Sequence, residues 1–277
     1  MKKIYLLPLL LAAVMLGGCT KKTTNAPQPS KPSAAQKLLI NELAQDKRPF
    51  TVLIPHASNR LFTFYTQNAN TAQSASLDLE YQSGELLKAA RASIESPIAN
   101  PYIKAILLGS CSTGGKCTFD TDLKSGTMKF KLSFAGEEAI HVLKGDFTFV
   151  LGQKNLPDGR VTFEPTKASL KDNLILANSF GTPTPTSKEI ALYPVVISST
   201  SEKAVVGSLK IQSAAQSVEI YDGTSFKPIK YTEKDGLITI ALNEKPWVKE
   251  ATIVRDDQKG ATESVKLYLV GPIVLTK

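Results

Sequence analysis

The chain has 277 residues with 33 Lys+Arg against 25 Asp+Glu, a formal charge of +8, and 42% hydrophobic against 21% charged residues. That balance supports a folded core and excludes a disordered chain, while the basic excess is spread too evenly to form a nucleic-acid stripe. Three cysteines and two histidines exclude a zinc ribbon or any other site that needs four nitrogen or sulfur ligands from this inventory beside the pairings argued below.

In chain order, Lys2 and Lys3 precede an apolar run from Ile4 to Leu16, closed by Gly17-Gly18-Cys19. A short positive segment followed by an apolar stretch of this length is the pattern of a cleavable export signal, and a spanning helix needs roughly 20 apolar residues. Leu16-Gly17-Gly18-Cys19 resembles the lipobox of bacterial lipoproteins. The resemblance implies a signal peptide over 1–18, lipidation of Cys19, and anchoring outside the cytoplasm in the cell membrane or envelope. Two rival readings stay open: an uncleaved membrane anchor, and an ordinary secretory signal with an incidental cysteine. Without Lys2 and Lys3 the 33 basic residues become 31 against 25 acidic, an excess of 6. Lys21 and Lys22 would then lie beside anionic headgroups.

Thr20 to Gln36 carries Pro27, Pro29 and Pro32 among polar residues and no apolar face, so a disordered tether is expected, followed by a short helix over Lys37 to Asp46. Residues 19–47 thus form the anchor, linker and helix. From Arg48 onward the dominant period is two. Phe50, Val52 and Ile54, then Leu61, Phe62, Phe64 and Tyr65, then Leu77, Leu79 and Tyr81 predict strands. Glu85 to Glu95 fits either a strand or a helix, with the strand favoured. Met128, Phe130, Leu132 and Phe134 alternate strictly, and Gly145 within Ile140 to Leu151 suggests a bulge.

Cys111 and Cys117 flank Ser-Thr-Gly-Gly-Lys in a segment, Ala105 to Asp120, that reads as a hairpin. In an exported protein an even pair at this spacing predicts a disulfide that pins strand register, since C-x5-C matches neither a redox motif nor a zinc knuckle. The polar stretch Gly152 to Gly159 is the expected boundary between two β-sandwich domains with an immunoglobulin-like look, 48–153 and 154–277. In the second, nine strands are expected between Arg160 and Val270, with turns at Asp222-Gly223 and Lys234-Asp235-Gly236 and an exposed loop over Thr182–Thr186. The part after the tether resembles lipoproteins with two β domains and no assigned activity, through Leu107-Leu108-Gly109-Ser110-Cys111 before a Gly-rich turn and Cys117.

Catalytic signals are sparse. His56 and His141 have no nucleophile elbow or metalloprotease helix beside them, and Glu137-Glu138 sits in a turn where carboxylates are solvated. Asp120 and Asp122 offer alternate carboxylates of the kind calcium takes, but without the calcium-loop pattern. No catalytic residue, metal or cofactor is therefore expected. Tyr221, Phe226, Tyr231 and Trp247 either fill a core or mark a binding face; Trp247, after Pro246 in a loop-like segment, and Tyr221 are the candidate ligand contacts. The expectation is a lipid-anchored, non-enzymatic module that binds an envelope protein or glycan. The alternative is a structural or assembly subunit of an envelope machine, and a dispersed hydrolase site comes last. A long unpaired strand edge would favour assembly, an exposed aromatic patch ligand binding, and a His beside a Ser in a cleft hydrolysis.

Overall fold

The computed structural model describes residues 36–113 and 115–277; the signal peptide, Cys19 and nearly all of the expected tether lie outside these residues. The fold is all-β, built from a large sheet, a four-stranded sheet, a three-stranded sheet and the small cysteine hairpin. The large sheet has 11 strands. Nine run in the order Phe226–Pro228, Ser217–Tyr221, Ala261–Thr276, Val195–Ser199, Leu174–Asn178, Ile140–Phe149, Leu123–Ser133, Ser74–Ser83, Leu86–Ile94. Leu38–Ile40 joins it in parallel beside Ile140–Val142, and Trp247–Arg255 pairs antiparallel with Ala261–Leu269.

Side-chain alternation along the central strands explains how one sheet serves two cores. Successive residues of a strand point to opposite faces. Ile175 and Ala177 therefore pack with Phe62, Phe64, Leu77, Phe130 and Phe147, while Leu174 and Leu176 pack with Phe163, Leu209, Ile240 and Ile273. The first core lies between the large sheet and the three-stranded sheet Phe50–Pro55, Leu61–Gln67, Tyr102–Leu107. The second lies between the large sheet and the four-stranded sheet Val161–Pro165, Val205–Gln212, Leu237–Glu244, Thr232–Lys234. Burial on both faces is why Leu174–Asn178 and Val195–Ser199 read as continuous apolar runs rather than alternating ones.

The three-stranded sheet is itself a middle layer. Leu53, Phe62 and Phe64 face the first core, while Phe50, Val52, Ile54 and Tyr65 face Ala251, Leu267 and Leu269 of the hairpin formed by Trp247–Arg255 and Ala261–Leu269. Every residue of Phe50–Pro55 is consequently buried. Buried hydroxyls stitch this layer to the large sheet: Ser198 Oγ donates to the Leu53 carbonyl (2.6 Å) and the Thr51 amide donates to Ser179 Oγ (3.0 Å). Paired in this way, buried polar groups avoid the desolvation penalty that an unmade bond would carry.

Several expectations need correcting. The two halves are not separate bodies, because residues 36–277 form one compact unit and the pairing of Phe147–Phe149 with Ile175–Ala177 carries the sheet across the 152–159 turn. The short helix expected over Lys37 to Asp46 is the strand Leu38–Ile40 followed by a 3-10 turn at Gln45–Lys47. The free edge beside Ile140–Val142 captures its backbone, and that pairing outweighs the weak helical propensity of so short a segment. Gly145 makes no bulge, since the register with Leu123–Ser133 is unbroken. It makes room instead, because a Cβ there would sit 3.0 Å from the Phe180 ring. The Glu85 to Glu95 ambiguity resolves as the strand Leu86–Ile94, which returns from Ser83 through the two-residue turn Gly84-Glu85.

Candidate functional site

Leu86–Ile94 ends the large sheet. It pairs with Ser74–Ser83 on one side, and no strand among the described residues pairs with the other. Ala92 and Ile94 reach the first core, with Ala90 packed against it. Leu86 and Leu87 stand 62% and 75% exposed, the most exposed large apolar side chains among the described residues, side by side at one end of the open edge. Natural edges are usually guarded by outward charges. Here the two cations of the strand are engaged by carboxylates of the same chain: Lys88 pairs with Asp120 (3.2 Å) and Arg91, still largely exposed, with Asp78 (2.5 Å).

Asp78 also takes Lys131 (2.8 Å), and although burial pushes its carboxyl upward, the hydrogen bonds from Arg91 and Lys131 outweigh burial and hold it below the ordinary range. Asp120 accepts a hydrogen bond from the Tyr81 hydroxyl (2.6 Å). Burial first, and that carboxylate second, push the Tyr81 phenol well up. Asp120 closes the neck of the cysteine hairpin through its amide bond to the Leu108 carbonyl (2.9 Å), so the hairpin and the open edge share an anchor. Asp120 is committed to Tyr81 and Lys88, and Asp122 lies beside Lys124 (3.7 Å). No group of three or more metal-ligating side chains occurs among the described residues.

The hairpin is as the spacing predicts. Cys111 and Cys117 are directly paired across the strands Gly109–Cys111 and Cys117–Phe119 and are joined by a disulfide. Gly109 is required by contact, since a Cβ there would fall 2.1 Å from the Thr118 carbonyl oxygen.

The aromatic candidates are brought together but turned inward. Tyr221 is 6% exposed and its ring lies 5.7 Å from that of Trp247 and 5.3 Å from that of Phe226. Trp247 opens a strand rather than sitting in a loop, packs against Phe50 and donates its indole N–H to the Gly271 carbonyl. Gly223, in the expected turn, has φ +99° and comes close enough that a Cβ would meet the Trp247 side chain at 2.8 Å. Tyr231 packs against the second core.

Both histidines have structural partners. His56 Nδ1 accepts from the Ser58 amide (3.1 Å) and lies 2.8 Å from Ser58 Oγ, while Nε2 faces Glu263 (3.4 Å). The Ser58 hydroxyl in turn accepts from the Arg60 amide (3.2 Å), so this Ser-His neighbour pair is a turn closed by its own side chains. Glu263 continues to Arg255 (2.8 Å), which holds the buried Asp257 carboxylate at 2.7 Å. His141 lies in its strand and bonds Glu137 (2.7 Å), so one of the two turn carboxylates is not simply solvated. The edge strand was missed as a site at the sequence level because strand order is a property of pairing; its only trace was the adjacent Leu86 and Leu87, which break the alternation. No family model, curated protein or solved structure matches the chain.

Proposed function

We propose that this chain is a lipid-anchored, extracytoplasmic envelope protein without enzymatic activity, which docks an extended segment of another envelope protein along Leu86–Ile94 by strand addition. The observation that carries the docking is the unpaired nine-residue edge with Leu86 and Leu87 exposed on it. Main-chain hydrogen bonds along such an edge supply affinity, and alternate side chains supply selectivity. The anchor rests on the Met1 to Cys19 pattern, and the disulfide between Cys111 and Cys117 is in keeping with an oxidising compartment. A glycan partner has less support, because Tyr221 is buried and the Trp247 N–H is already bonded within the protein.

The test is site-specific photocrosslinking in the native envelope. A photoreactive residue at Leu87 or Ala89 is expected to trap one discrete partner, and the same group at Gln212, exposed on a strand paired on both sides, is not. Equal trapping at both places, or none at Leu87 and Ala89, refutes the docking edge. Mass analysis of the native amino terminus tests the anchor separately: an uncut, unlipidated start refutes it.

A further inference from the structure

A cleft of about 450 Å3 opens on the face of the large sheet away from the first core, and the docking edge does not use it. It forms where the sheet has a gap. On one side of Ile140–Phe149, residues 140–142 pair with Leu38–Ile40 and residues 147–149 pair with Leu174–Asn178. Between them two asparagines replace a strand: Asn41 Oδ1 accepts the Lys144 amide (2.7 Å) and Asn178 Oδ1 accepts the Asp146 amide (3.1 Å).

Lys144 and Asp146 both line the cleft and are two residues apart, so alternation puts them on one face, separated by roughly 7 Å. Lys129 is directly opposite Lys144 on the neighbouring strand but its ammonium is paired with Glu80 (3.2 Å), so Lys144 and Arg48 give the cleft its cationic end. The Asp158 amide donates to Asp146 Oδ2 (3.2 Å), and the Asp158 carboxylate is fixed at the mouth by Arg160 (3.0 Å), giving an anionic end. Asp158 is thus already paired with Arg160, whereas Lys144 and Asp146 have no ion-pair partner among the described residues, which leaves one cation and one anion on the cleft floor open to a ligand. Burial, and then the neighbouring Asp158, push the Asp146 carboxyl upward, against the opposing pull of the Asp158 amide and Arg160. Leu192 and Tyr193 supply an apolar wall between the ends, with the Arg48 guanidinium 5.3 Å over the Tyr193 ring.

We propose that this cleft binds a dipolar ligand, an ω-amino acid or a chain-terminal lysine. Its ammonium lies between Asp146 and Asp158, its methylenes against Leu192 and Tyr193, and its carboxylate at Lys144 and Arg48. An extended five-carbon chain between the two charges matches the separation of one two-residue strand repeat. The site stands independently of the docking edge.

The test is titration calorimetry on the full-length protein in detergent with 6-aminohexanoate, hexanoate and hexylamine. A hexapeptide ending in lysine and its carboxyl-amidated form complete the set. 6-Aminohexanoate is expected to bind at least tenfold more tightly than either singly charged analogue. Asp146→Asn, which keeps an acceptor for the Asp158 amide, and Lys144→Met are each expected to weaken it at least tenfold, and the distant control Lys249→Met to leave it unchanged. Binding of the free-carboxyl peptide but not the amidated one identifies a protein terminus as the ligand; binding of the free amino acid alone identifies a small metabolite. No heat with any dipolar compound, equal affinity for hexanoate or hexylamine, or full affinity in folded Asp146→Asn and Lys144→Met protein overturns the proposal.

Discussion

The sharing of one sheet between two cores makes a quantitative prediction at Leu174–Asn178. Ile175 and Leu176 are adjacent, both fully buried, and point into different cores. Replacing either by alanine removes three buried carbons at about 0.8 kcal/mol each, and such truncations, cavity included, cost about 2–5 kcal/mol in all. For a body of this size a loss of 1 kcal/mol lowers Tm by about 2 °C, so each variant is expected to melt about 4–10 °C below the parent. Because strands buried on both faces couple the cores, differential scanning calorimetry is expected to show a single transition over residues 36–277. Ile175→Ala and Leu176→Ala then shift that same transition. If the parent instead shows two transitions, with Ile175→Ala moving one and Leu176→Ala the other, the halves unfold independently and the shared-sheet argument is wrong.

Other outcomes follow from the same structure. Changing Cys111 and Cys117 to Ser removes a closure worth about 2–2.5 kcal/mol on the chain-entropy model, so amide exchange is expected to quicken over residues 109–119 while the large sheet keeps its protection; uniform loss of protection would refute a local role. The Arg255 guanidinium beside Asp257 holds that carboxyl below the ordinary range, and Glu263, pushed up by burial, is drawn below it by Arg255 and His56. Stability from this pair is complete above the ordinary carboxylate range and is lost as pH falls through the lowered folded values, so Arg255→Met is expected to flatten the decline of Tm between about pH 5 and 2; an unchanged acid limb refutes it. Asp146 has the opposite sign: its raised pKa favours the folded state at low pH and costs stability as pH rises through the raised value. Asp146→Asn is therefore expected to melt above the parent at pH 7 and to converge with it near pH 3, and a lower Tm at pH 7 contradicts the assignment. Gly126→Ala places a Cβ 2.2 Å from the Glu80 carbonyl oxygen, and a loss of about 1–3 kcal/mol is expected in urea unfolding.

The amino-acid sequence alone determines the local β character of this protein. Met128, Phe130 and Leu132 alternate with Lys129 and Lys131, and whatever strand lies alongside, that period can bury only one face. Asp235-Gly236, with φ of +53° and +73°, closes a hairpin between Lys234 and Leu237 by turn chemistry that four residues contain. The pairing of Cys111 with Cys117 was likewise within reach, because the reversal between them is short. What only the tertiary structure decided is which strands meet. Leu38–Ile40 becomes a strand because Ile140–Val142 has a free side, and the two halves fuse because Phe149 finds Ile175. The exposed edge exists because no strand among the described residues follows Leu86–Ile94 in the sheet, and the cleft gathers Arg48, Lys129, Lys144, Asp146 and Asp158 from segments that no local pattern relates. The physical reason is that alternation fixes a strand's faces, whereas its hydrogen-bonding edges are identical backbone groups whose partners are chosen by long-range packing.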